Sequence, residues 1–198
     1  MKFLCAVLLA GLMTAFSARA QVSVEVVLEQ DKFLPGEQLI AGLRIVNRSG
    51  QTLRLGEDAD WAQFNVERVG GGAVHQDKEP PLQGGFDLAS AERATVKVDL
   101  EPCFDLRQPG TYLITGSVKV RELGKVVISK AERFEVVDGT KMWEQEFGVP
   151  PAPGSTQPPQ VRKYALQQAN YLKSQLRLYL RVSSSDGRVI KLLNVGPM

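Results

Sequence analysis

The chain carries one histidine, His75, and two cysteines, Cys5 and Cys103, in 198 residues. A zinc centre needs clustered His and Cys donors, and His75 and Cys103 stand 28 positions apart. A hydrolytic triad would have to be built on His75, beside Gln76 and Asp77, yet no G-x-S-x-G nucleophile turn accompanies it. No phosphate-binding loop or dinucleotide fingerprint occurs. "GEDAD", 56–60, gathers three carboxylates in a turn without the ligand spacing and central glycine of a calcium loop. A solvated acidic turn is the plainer reading. The sequence therefore assigns no catalytic residue, no metal and no cofactor, and a hydrolase using His75 is kept only as an alternative class.

Contact chemistry is better represented. Trp143 and Phe147 stand four apart in "KMWEQEF", so a helical turn would put them on one face. The plainer expectation is that they cover an open end of the fold, since large aromatics usually pack. In "LRLYLRV", 176–182, Leu176, Leu178, Leu180 and Val182 fall on one side of a strand. Arg177, Tyr179 and Arg181 fall on the other. The candidate interaction residues are thus Trp143, Phe147, Arg177, Tyr179 and Arg181.

The elements that must position them are strands. Val22, Val24, Val26 and Leu28 alternate with polar residues, then Pro35-Gly36 supplies a turn in which proline presets φ and glycine accepts a positive φ. Leu39, Ala41, Leu43 and Ile45 form the next alternation, and "NRSGQ" the next turn. Further short strands fall around Leu53–Leu55, Phe64–Val66, Ala94–Leu100 and Tyr112–Val120. The last, Lys125–Val137, changes parity between Ala131 and Phe134, which predicts a bulge. Seven or so strands with regular turns and no convincing helix predict an antiparallel β-sandwich over 21–137. Leu43, Ile45, Phe64, Val98, Tyr112 and Ile114 are its expected core.

Residues 138–160 read as a linker, because "GVPPAPGSTQPPQ" holds five of the eleven prolines. Residues 161–198 read as a basic C-terminal β segment: one strand through 176–182, a turn at Ser185-Asp186-Gly187 and a return through "RVIKLLNV". Such a hairpin is marginal alone in water. It is expected to dock on the sandwich by its leucine face.

The first twenty residues have the three parts of a secretory signal peptide. Lys2 is followed by an apolar run and by Ala18-Arg19-Ala20, with cleavage expected before Gln21. Of 24 basic side chains, Lys2 and Arg19 lie in that segment, leaving 22 against 22 acidic ones. Cys103 is then the one thiol, without an internal partner, and is expected to pack as a small hydrophobe. Charge is uneven: 14 basic and 18 acidic residues over 21–137, against 7 and 1 over 161–198. Export argues against nucleic acid as the target of that basic tail. A protein partner or an envelope component, in the periplasm or outside the cell, is the expectation.

The order of features resembles a bacterial immunoglobulin-like domain. "FLPGEQLIAGLRIVNRSGQTLRL" is similar to the early strands of such sandwiches, "FNVERVGGGAV" to their middle hairpin, and "LRQPGTYLITGSV" to the strand that begins with a corner tyrosine. The nearest pattern is the intracellular proteinase inhibitor family of bacilli. That resemblance covers about 115 residues and implies an immunoglobulin-like fold, with inhibition of an exported proteinase as the alternative function.

Overall fold

The structure, a computed structural model, describes residues 21–82, 84–151, 156, 159–172 and 175–198. The expected leader, with Ala18 and Ala20 at its end, lies outside them. Gln21 opens them, its carbonyl accepting the Arg48 amide at 2.6 Å.

The chain is all-β, and the body is a sandwich. One sheet is formed by β1 (Val22–Leu28), β3 (Ile40–Asn47) and β8 (Arg93–Asp99), in the order β1-β3-β8. The other runs β2-β11-β9-β5-β6, from β2 (Lys32–Phe33), β11 (Glu132–Val136), β9 (Gly110–Val120), β5 (Ala62–Arg68) and β6 (Gly72–Ala73). The strand β10 (Lys125–Ile128) also pairs with β9, and a short pair, β4 (Leu53–Leu55) with β7 (Phe86–Leu88), lies apart.

Alternation becomes packing here. In β9 every second residue from Tyr112 to Val120 points inward: Tyr112, Ile114, Val118 and Val120 are buried, and Gly116 holds the fifth position. That glycine is required by close approach, since a Cβ there would lie 2.5 Å from Leu43 Cδ1 and 3.0 Å from Val26 Cγ2, both from the facing sheet. All six expected core residues are buried. Burying each large apolar side chain contributes roughly 1.5–3 kcal/mol. Phe134 stacks on Tyr112 at 5.4 Å and meets Phe33 edge-on at 5.8 Å. The Tyr112 hydroxyl donates back to the Gln108 carbonyl at 2.6 Å.

The expected bulge exists and falls slightly earlier. Ile128 pairs with Ser117 and Glu132 with Ile114, so Ser129, Lys130 and Ala131 oppose only Thr115 and Gly116. The Ser129 amide donates to the Gly116 carbonyl, and the Gly116 amide donates to Ser129 Oγ.

The sequence reading of 138–160 needs correction. Residues Thr140–Val149 are a strand, β12, rather than linker. Trp143, Gln145, Phe147 and Val149 alternate with Glu144, Glu146 and Gly148, a period of two that the neighbouring prolines obscure. Nor is the C-terminal segment a short hairpin. With β13 (Gln160–Leu172), β14 (Gln175–Ser184) and β15 (Val189–Pro197), β12 makes a four-stranded antiparallel sheet in sequential order. The expected turn is present, closed by the Gly187 amide donating to the Ser184 carbonyl, with Gly187 at φ +85°.

Candidate functional site

The chemically suggestive residues stay scattered. His75 is exposed, with Nε2 3.6 Å from Asp77 Oδ1. In "GEDAD", Asp58 and Glu57 pair with Arg121, and Asp60 with Lys119 at 2.9 Å. Each carboxylate of the turn is therefore paired with a cation of the body. Among the described residues no three His, Cys, Asp or Glu side chains come together as metal donors. Cys103 is free and fully buried, its thiol facing the Asp99 carbonyl at 3.7 Å, and burial pushes its pKa up. A thiol so placed is unreactive.

The C-terminal sheet is different, because its two faces are unlike. Residues paired directly across antiparallel strands share a face. One face carries Ala165, Ala169, Tyr179 and Leu192 at its centre and Lys141, Glu144, Glu146 and Lys163 at its β12 edge. Those four charges form a ladder, with Lys141 to Glu144 at 2.6 Å and Lys163 to Glu146 at 3.3 Å. The centre of this face packs on the sandwich. Tyr179 and Ala169 form a small buried cluster with Leu34, supported by Val137 and Leu192.

The dock is the Pro35-Gly36 turn. Glu37 Oε2 accepts the Leu34 amide at 2.8 Å, and Glu37 Oε1 accepts the Tyr179 hydroxyl at 3.0 Å. Val189 lies against Gly36, where a Cβ would come within 3.2 Å of it. Gly139 lies between Leu34 and Gln167, at the point where the chain leaves the body. Tyr179 is 1% exposed, and burial together with the Glu37 carboxylate raises its phenol far above the ordinary value. A buried neutral phenol donating to a carboxylate is a charge-assisted latch.

The expectation that the leucines dock is therefore overturned. Leu178 and Leu180 sit on the opposite face, because a strand exposes alternate sides and Tyr179 is the residue turned inward. A row crosses all four strands there: Trp143 pairs with Leu166, Leu166 with Leu180, and Leu180 with Leu193. Phe147 meets Tyr164 edge-on at 5.4 Å on the same face. Trp143 and Phe147 are each 45% exposed and Leu193 38%. Among the described elements, β2 alone packs substantially on this sheet from outside it, and the turn that follows β2 meets the Tyr179 face. Of the twelve exposed large hydrophobics among the described residues, nine lie in this sheet and at its end.

The five candidates thus divide. Trp143 and Phe147 share the open face, while Arg177, Tyr179 and Arg181 lie on the docked side, with Tyr179 at the contact itself. Of the half-exposed residues in that row, Leu180 belongs to the leucine face read from sequence as the docking side, while Leu166 and Leu193 were not singled out. The signal was present as alternation in "KYALQQANYLK", which is ambiguous between helix and strand until β12 and β14 are known to flank it.

No family model matches the chain, and no curated protein is similar to it. The resemblance to the proteinase inhibitor family therefore has no family model behind it. Among solved structures the chain is similar to Spo0M, a sporulation control protein from Bacillus subtilis, at 11% identity and a TM-score of 0.43. The match covers 89% of this chain and 90% of that chain. At that identity and score the likeness extends to a β-rich architecture and no further.

Proposed function

We propose that the chain is an exported, non-enzymatic, immunoglobulin-like module of the cell envelope that binds a protein through the open face of its C-terminal sheet. One observation carries the reading: the row Trp143–Leu166–Leu180–Leu193 crosses all four strands of one sheet face and has no second layer over it among the described elements. A large contiguous apolar patch on a folded protein marks an interaction site. Export is supported by the tripartite leader. The immunoglobulin-like reading is supported by two details of the body. Its first strand passes from one sheet to the other, β1 pairing with β3 and β2 with β11. Its corner tyrosine, Tyr112, bonds the backbone four residues upstream.

A photo-crosslinking residue at position 147, compared with one at the exposed Val126 of the body, tests this in intact cells. The proposal expects protein adducts from position 147 and none from 126. Adducts from neither position would remove the binding reading.

A further inference from the structure

We infer that the occupant of the open face is the same face of a second copy of this chain, the two sheets closing into a two-layer sandwich. The inference rests on the binding reading above and names its partner.

A four-stranded sheet with one apolar face is half of a sandwich, and the missing half must be another sheet or an equivalent apolar layer. The area suffices. Between the rows of Asn170 and Arg162, β13 spans eight residues. At about 3.4 Å per residue and about 4.8 Å per strand, the face measures roughly 27 by 19 Å, about 500 Å² per copy before side-chain relief is added. Two copies reach about 1,000 Å², the lower bound of a specific interface.

The arrangement of polar groups also fits. The Trp143–Leu193 row is the middle of five rows, and the cations of this face, Arg162 and Lys191, lie to one side of it. The face carries no carboxylate at any paired position, so two copies stacked with like ends together would gather all four cations at one end. A two-fold axis lying in the interface, across the strands at the central row, avoids this. It reverses the row order and sets Arg162 of each copy opposite Asn170 of the other. The central apolar row then overlies its own counterpart, while Gln168, one row away on an inner strand, faces Tyr164 of the other copy.

Sedimentation velocity on the purified exported protein, read alongside tryptophan emission, tests the inference. Trp61 is 3% exposed, so a concentration-dependent blue shift reports Trp143. The expected result is a dimer. Trp143→Gln with Leu193→Gln should weaken it at least about ten-fold, while Val126→Gln leaves it unchanged. Both substituted side chains are exposed in the single copy, so circular dichroism should confirm an intact fold. A monomer up to about 100 μM, where a contact of this size should be populated, overturns the inference. So does a dimer that survives the double substitution, or a monomer that binds vesicles of anionic phospholipid through Trp143. If position 147 crosslinks only to a different protein, the second copy is wrong and the binding reading stands. If it crosslinks to nothing, both fall.

Discussion

Inside the body, each strand that alternates apolar and polar residues finds a facing sheet. Leu43 and Val26 reach across to Gly116, and a continuous cluster from Val22 to Val136 is buried between the layers. The C-terminal sheet alternates just as regularly, but among the described elements one of its faces finds only a turn and the other finds no covering layer. Burial in the first region is collective. In the second it rests on a three-residue cluster and one phenol–carboxylate bond. Period alone predicts a half-apolar strand; whether that half is covered depends on what lies about 10 Å away.

The largest effect should come from breaking the collective side. Phe134→Ala removes a ring that is fully buried between Phe33 and Tyr112, and should cost about 3–5 kcal/mol in urea unfolding. Gly116→Ala should cost about 1–3 kcal/mol by overpacking, because the new methyl would lie 2.5 Å from Leu43 and 3.0 Å from Val26, both buried. A neutral result there would mean that the two sheets are less tightly packed than described.

The docked side calls for a different measurement. Tyr179→Phe keeps the ring and deletes the hydroxyl, so it should cost about 1 kcal/mol. The cost should appear as faster hydrogen exchange in β14 and easier proteolysis near Gly139, with the urea midpoint of the body unmoved. The same bond has a pH signature. The Tyr179 phenol titrates higher in the folded protein than in the unfolded chain. Above the unfolded value, about pH 10, the unfolded chain gives up its proton first, so docking is lost as pH rises. Below that value the contribution is fully present. Tyr179→Phe should flatten this dependence, and persistence of the alkaline loosening in that variant would assign it elsewhere. Smallest of all, Leu193→Gln on the open face should change the stability of a single copy by no more than about 0.5 kcal/mol. A larger loss would mean that the face is covered after all.

The body was legible because its signals are local and redundant. Pro35-Gly36, the alternations of β1, β3 and β9, and the parity change before Phe134 each fix a piece of it. The C-terminal sheet was half legible. "LRLYLRV" gave its strand and its two faces, but sequence period cannot say which face meets the body. Four large apolar residues made the leucine side the better guess. The structure instead uses Tyr179, whose long phenol reaches Glu37 in a way that no hydrophobicity pattern encodes. β12 was missed because the glutamates beside Trp143 and Phe147, and the prolines after them, resemble a linker until β13 is available to pair with it.

The sequential order of β12, β13, β14 and β15 bears on how the chain acquires its shape in time. Every ladder in that sheet joins neighbours in sequence, whereas the body must bring β3 to β8 and β2 to β11, across roughly 50 and 100 residues. Loops of that length close slowly, and sheets dominated by distant pairings are late to form. The meander can zip by successive hairpins on a faster clock. Its latch cannot engage until the turn at Pro35-Gly36 has been set by the body. During refolding, β14 amides should therefore gain partial protection early and full protection only when the body arrives. In that interval both faces of the meander, not one, are available to other chains.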